Sequence, residues 1–132
     1  MKFQFNDGGR KAAGYKGEVG DCVVRALVIA NDLDYKTTYR KMSQGVGEIG
    51  RPNTARNGVN HKVFEPMLKQ LGWVVVPKQD KLRFRQDNLP KRKKVIVETR
   101  RHICVVIDGV IQDTWESSKN GDALIEKIWV KK

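Results

Sequence analysis

Two cysteines and two histidines are all that this chain of 132 residues offers to soft-metal chemistry, and no pair of them has the short Cys-x-x-Cys spacing of a structural zinc site. The sequence therefore predicts no metal and no other cofactor. Two cysteines are also too few for a disulfide framework. No apolar run approaches the length of a membrane span, so no membrane partner is expected. The first residues, Met1-Lys2-Phe3-Gln4-Phe5-Asn6-Asp7, lack the apolar core and small-residue cleavage site of a secretory signal, which points to the cytoplasm. Acid is the scarcer charge: 15 Asp and Glu face 26 Lys and Arg, a formal +11. Such a field attracts nucleic acid, acidic proteins or other anionic surfaces without choosing among them. With 39% hydrophobic and 31% charged residues the chain has a core to bury, and its length suits a single domain.

The basic excess is concentrated between Lys78 and Arg101. Lys81, Arg83, Arg85, Lys91, Arg92, Lys93 and Lys94 form a candidate anion-binding face; the alternative is a solvated loop carrying ordinary solubility charges. Aromatic interleaving is limited to Phe84, whereas single-strand binders stack bases on several rings.

Residues 1–20 read as a glycine-rich arm, extended and full of turns from Phe5 onward, without P-loop spacing and with no strand before it. From Cys22 to Ala30 the pattern is almost wholly apolar. Such a run is either a buried helix or a buried strand, and Asp21 as an N-cap, the alanines and a following helix favour helix. Asp34 caps a second helix over 35–43, with Tyr35, Tyr39 and Met42 on one face. Gln44 to Arg56 reads as a long loop placed to line or cover a cleft. A third helix spans 59–71, where Pro66 should kink or break it. After Gly72 the pattern becomes β, with strands at 73–76, 95–97, 102–107, 110–115 and 125–130. Helices over 21–71 followed by strands over 73–132 are the order of an α+β domain with an antiparallel sheet.

Asp108-Gly109 predicts a two-residue type I′ turn that sets Ile107 opposite Val110. Continued, that register sets Cys104 opposite Asp113 and His102 opposite Trp115, so all four side chains share a face, with His102 and Asp113 as diagonal neighbours. Cys22 at a helix start, His102 at a strand start and Asp113 on the next strand are the parts of a cysteine nucleophile with its base and orienting acid. Taken singly they are an ordinary buried thiol, a strand-end histidine and a surface acid. Together they are the candidate catalytic residues, and Cys104 is a small apolar filler.

The segments Gly20-Asp21-Cys22-Val23-Val24-Arg25-Ala26, Arg101-His102-Ile103-Cys104-Val105-Val106 and Gly109-Val110-Ile111-Gln112-Asp113-Thr114-Trp115 resemble the papain-like cysteine peptidase superfamily. The Asp-Cys pair at a helix start is similar to that of its compact double-glycine peptidases. The whole chain resembles small proteins of bacteriophage genomes, also through Asp7-Gly8-Gly9-Arg10, Ala55-Arg56-Asn57-Gly58-Val59 and Leu71-Gly72-Trp73. The resemblance implies a helical part packed on an antiparallel sheet, with thiol and imidazole facing across a cleft. It implies a cysteine hydrolase that cleaves a peptide, isopeptide or related amide bond in a protein or peptide substrate, in the cytoplasm of a bacterial host. Where the superfamily completes its oxyanion hole with a glutamine ahead of the cysteine, this chain has Lys16. Asn6 or Lys16 itself then stands as the replacement donor, and loss of one such donor costs about 10²–10³ in rate. The alternative function is a catalytically weak or inactive papain-like scaffold that binds nucleic acid or an acidic host protein through its basic face.

Overall fold

A computed structural model of the chain describes residues 1–16, 20–50 and 59–132. In chain order the elements are β1 (Lys2–Phe5), α1 (Cys22–Asn31), α2 (Tyr35–Glu48), α3 (His61–Gln70), β2 (Trp73–Val76), a 3₁₀ turn (Gln86–Asn88), β3 (Lys94–Thr99), β4 (His102–Ile107), β5 (Val110–Asp113) and β6 (Ile125–Lys131). The strands form one sheet in the order β1-β5-β4-β3-β6-β2. The fold is α+β.

Each helix forms for a local reason. The carboxylate of Asp34 accepts from the Thr37 amide at 2.9 Å, and the side chain of Asn60 accepts from the Lys62 amide at 2.8 Å, so α2 and α3 begin on capped turns. α1 has no such cap. It forms because every residue from Val23 to Ala30 is buried, with Val23, Val24, Ala26, Leu27 and Val28 packed in one cluster with Ile103 and Val105 of β4 and Ile96 of β3. The opposite sheet face is buried too: Val95, Val97, Cys104, Val106, Ile111 and Ile128 lie under Leu82, Phe84 and Leu89. Two buried faces explain why β3 and β4 read as continuous apolar runs rather than alternations.

Five expectations are corrected. The sheet is mixed, because Lys2–Phe5 adds to the β5 edge in parallel, Phe3 opposite Ile111 and Phe5 opposite Asp113. A strand therefore does precede the glycine-rich arm. The presumed loop from Gln44 begins as helix: α2 runs on to Glu48 because Gly45 marks a helix–helix contact, where a Cβ would stand 2.6 Å from Val63 Cγ1. Residues 51–56 of that loop, and Asn57-Gly58, lie outside the described residues. Pro66 does not break α3; it and Lys62, whose carbonyl it cannot bond, both lie on the exposed face of the helix, where a lost backbone bond costs least. Finally, β5 ends at Asp113, leaving Trp115 beyond the strand. Among the described residues no helix is long and apolar enough to cross a membrane.

The basic stretch is also more structured than a loop of solubility charges. In Lys81-Leu82-Arg83-Phe84-Arg85 the apolar residues point into the core and the cations out, and Arg83 bridges to Leu124. Phe84 is wholly buried, which removes it as a surface for stacking bases.

Candidate active site

The site begins with the hairpin. Asp108 and Gly109 both have positive φ, 50° and 79°, as a type I′ turn requires, and the ladder pairs Ile107 with Val110, Val106 with Ile111 and Val105 with Gln112. That register, expected from the turn dipeptide, carries His102 and Asp113 to the open end. There His102 Nε2 lies 2.6 Å from Asp113 Oδ2. The end of β1 steadies the same point, since the Asn6 amide donates to the Asp113 carbonyl at 2.8 Å.

Cys22, the first residue of α1 and half-buried, lies close enough to the His102 ring to act on its protonation. With Nε2 engaged by the carboxylate, Nδ1 is the ring nitrogen left for sulfur. Burial disfavours a charged ring, but the hydrogen bond to Asp113 and the neighbouring Cys22 outweigh it and push the His102 pKa up to about 9. Burial likewise raises the Asp113 carboxyl, yet the bonds from His102 and the Thr114 amide hold it below the ordinary aspartate value. The Trp115 ring sits over the imidazole, its centroid 5.0 Å away. The structure thus brings the three predicted catalytic residues together, imidazole and carboxylate bonded and the thiol beside the ring.

Sequence reasoning missed what stands behind them. Asp113 Oδ1 also faces Arg25 Nη2 at 3.4 Å, and the other end of that guanidinium pairs with Asp21 Oδ1. The second oxygen of Asp21 accepts from the Tyr35 hydroxyl and from Arg10 Nη1, the latter at 3.3 Å. Arg10, Asp21, Arg25 and Asp113 are all buried, Asp21 completely. Alternating charges therefore run from Arg10 through Asp21, Arg25 and Asp113 to His102. The i,i+4 spacing of Asp21 and Arg25 was the available signal. Gly8 packs on this network so closely that a Cβ would stand 3.3 Å from Arg25 Cα.

The inward turn of Asp21 has a second effect. The residue occupies the N-cap position of α1 but makes no capping bond, so the first amides of the helix, beginning at Cys22, have no side-chain acceptor from it. The two replacement oxyanion donors are placed differently. Asn6 directs its amide nitrogen to Gln112 at 3.1 Å and its oxygen to the Gly8 amide at 2.9 Å. Lys16 is exposed, its carbonyl held by Arg10 at 3.0 Å.

The seven cations expected to form one anion-binding face separate. Arg83, Arg85 and Arg92 donate to the carbonyls of Asp122, Gly121 and Lys131, and Lys94 reaches the last turn of α1 at the Ala30 carbonyl. Lys91, Arg92 and Lys93 line, with Lys2, an open cleft of about 660 Å³ at the turn end of the hairpin. Lys81 lines a different groove, which includes His102. Among the described residues no group of His, Cys, Asp and Glu is arranged to hold a metal ion, and both cysteines are free. Burial pushes the Cys104 thiol up to about 12.

No family model, curated protein or solved structure matches the chain.

Proposed function

We propose that the protein is a small papain-like cysteine hydrolase of the kind found in bacteriophages, cleaving a peptide, isopeptide or related amide bond. The observation that carries this reading is the hydrogen-bonded His102–Asp113 pair with Cys22, at the start of α1, beside the same ring. The His102 ring beside Cys22 and the uncapped start of α1 place the sulfur as a nucleophile with its base. The Cys22 sulfur attacks the carbonyl carbon, and the first amides of α1 face the oxygen that becomes negative. The tetrahedral intermediate collapses as His102 gives its proton to the departing amine, leaving a thioester on Cys22. Water, its proton taken by His102, then cleaves that thioester and releases the acid.

A scaffold that binds without turnover is the second reading, favoured by the placement of the two donors: the Asn6 side-chain amide is committed to Gln112, and among the described residues Lys16 shows no contact that directs it at sulfur. Alkylation by iodoacetamide across pH separates the two. Burial keeps Cys104 protonated, so labelling reports Cys22. An activated Cys22 reacts at pH 7 about tenfold or more faster than free cysteine, because an unassisted thiol is only a few per cent ionised there. His102→Ala should remove that advantage. Equal rates for free cysteine, the protein and His102→Ala reject the catalytic reading.

A further inference from the structure

A groove of about 650 Å³ is lined by His102 and by no residue of α1, and five cations line it: Lys78, Lys81, Arg100, Arg101 and Lys119. Among the described residues, unlike Arg83 and Arg85, none of the five is tied to a distant carbonyl or held in an ion pair. Three of them, Lys81, Arg101 and Lys119, sit at left-handed turn positions, φ 54°, 59° and 52°. Backbone preference at such positions favours glycine, asparagine or aspartate, so local chain geometry does not account for cations there. Three separate turns therefore present positive charge to one groove.

The chemistry of His102 says which part of a substrate lies there. To protonate the leaving amine the imidazole must come within hydrogen-bond reach of it, so chain on the amine side of the scissile bond runs past His102 rather than past α1. We propose that this groove holds the amine-side portion of the substrate and selects an acidic peptide segment in it, an inference that rests on the thiol–imidazole reading above. Trp115 and Leu124, both substantially exposed on the groove wall, offer apolar surface beside the charge. A nucleic-acid strand fits less well. Asp122 and Glu126 interrupt the positive surface at fixed points, which individual carboxylates can avoid and a continuous phosphate backbone cannot. Trp115 is also a single ring where strand binders stack several bases.

The test uses the full chain and a fluorescein-labelled hexaglutamate peptide. Binding is read by anisotropy in Cys22→Ala, so that it does not depend on the thiol, with hexalysine and a twenty-base single-stranded DNA as comparators. The expected result is saturable binding of hexaglutamate, weakened about tenfold or more by Lys81→Glu with Arg100→Glu, the scale of one lost charge-assisted contact. Lys91→Glu with Lys93→Glu changes net charge equally and should alter affinity by about twofold or less. In the unmodified protein, saturating hexaglutamate should slow iodoacetamide labelling of Cys22. Equal losses from the two charge reversals, no protection of Cys22, or DNA binding tighter than hexaglutamate and weakened by Lys81→Glu with Arg100→Glu would each overturn the proposal. A Cys22 that labels no faster than free cysteine, with hexaglutamate still bound at the groove, rejects the catalytic reading instead.

Discussion

The β4–β5 hairpin carries charge at both ends and treats it in opposite ways. At its open end Asp113 and His102 join Arg25, Asp21 and Arg10 in a buried chain of alternating sign. At its turn end Lys2, Lys91, Arg92 and Lys93 gather a positive excess in open solvent, with Asp108 as the acid among them. Buried charges of alternating sign are mutually dependent, since each desolvated group is tolerable only while its partners remain. Exposed charges are screened, and each is close to dispensable for folding. Catalytic chemistry belongs to the first kind of arrangement, because only there can one group hold the protonation state of another.

The largest test of that contrast is Asp21→Ala. It leaves Arg10 and Arg25 buried without their shared carboxylate, a loss expected to cost about 3–5 kcal/mol, a large part of the stability of a domain this size. Urea unfolding should show a much lower midpoint. A shift no larger than that of an exposed Asp80→Ala control would mean that the buried network contributes nothing beyond a surface pair.

Asp113→Asn comes next, because it keeps the shape and removes the charge that holds the imidazolium. His102 has its pKa raised from 6.5 to about 9, so its ion pair stabilises the fold fully below the unfolded value near 6.5, and that contribution is lost as pH rises through about 9. Thermal unfolding of the native protein should therefore weaken between pH 6.5 and 9, and Asp113→Asn should flatten that dependence. Labelling of Cys22 at pH 7 should fall about tenfold or more in the variant, as the thiolate loses its counter-ion. An unchanged labelling rate would break the link between carboxylate and thiol.

What could be seen in the sequence depended on whether the signal was local. Asp34 and Asp108-Gly109 act within a few residues, so α2 and the hairpin register were legible, and with the register came the His102–Asp113 pair. The meeting of Cys22 with His102 joins elements far apart in sequence; the order of parts motivated it, but no local pattern requires it. Lys2–Phe5 escaped notice because its four residues are all exposed and show no buried alternation. Gly45 and Gly47 looked like loop because glycine disfavours helix, whereas at Gly45 the close approach of Val63 leaves no room for a side chain. Arg25 was hidden by its neighbours: one cation among apolar residues reads as the solvent edge of a helix, not as a charge facing two buried carboxylates. The anchors Leu82, Phe84 and Leu89 were masked in the same way by the cations between them.

The smallest effect is expected at the turn end. Lys91→Glu with Lys93→Glu should change unfolding free energy by no more than about 0.5 kcal/mol, as for surface substitutions away from any buried partner. Dispersing like charges along Lys91-Arg92-Lys93 relieves repulsion, so the sign should lean toward stabilisation at low salt and vanish as salt is added. Cys22 labelling should not move, because the pair lies at the other end of the strands from His102 and only screened solvent fields connect them. If labelling instead falls in step with the loss of charge, the thiolate is supported by the net positive field of the whole protein, and the special standing of the buried chain at the open end disappears.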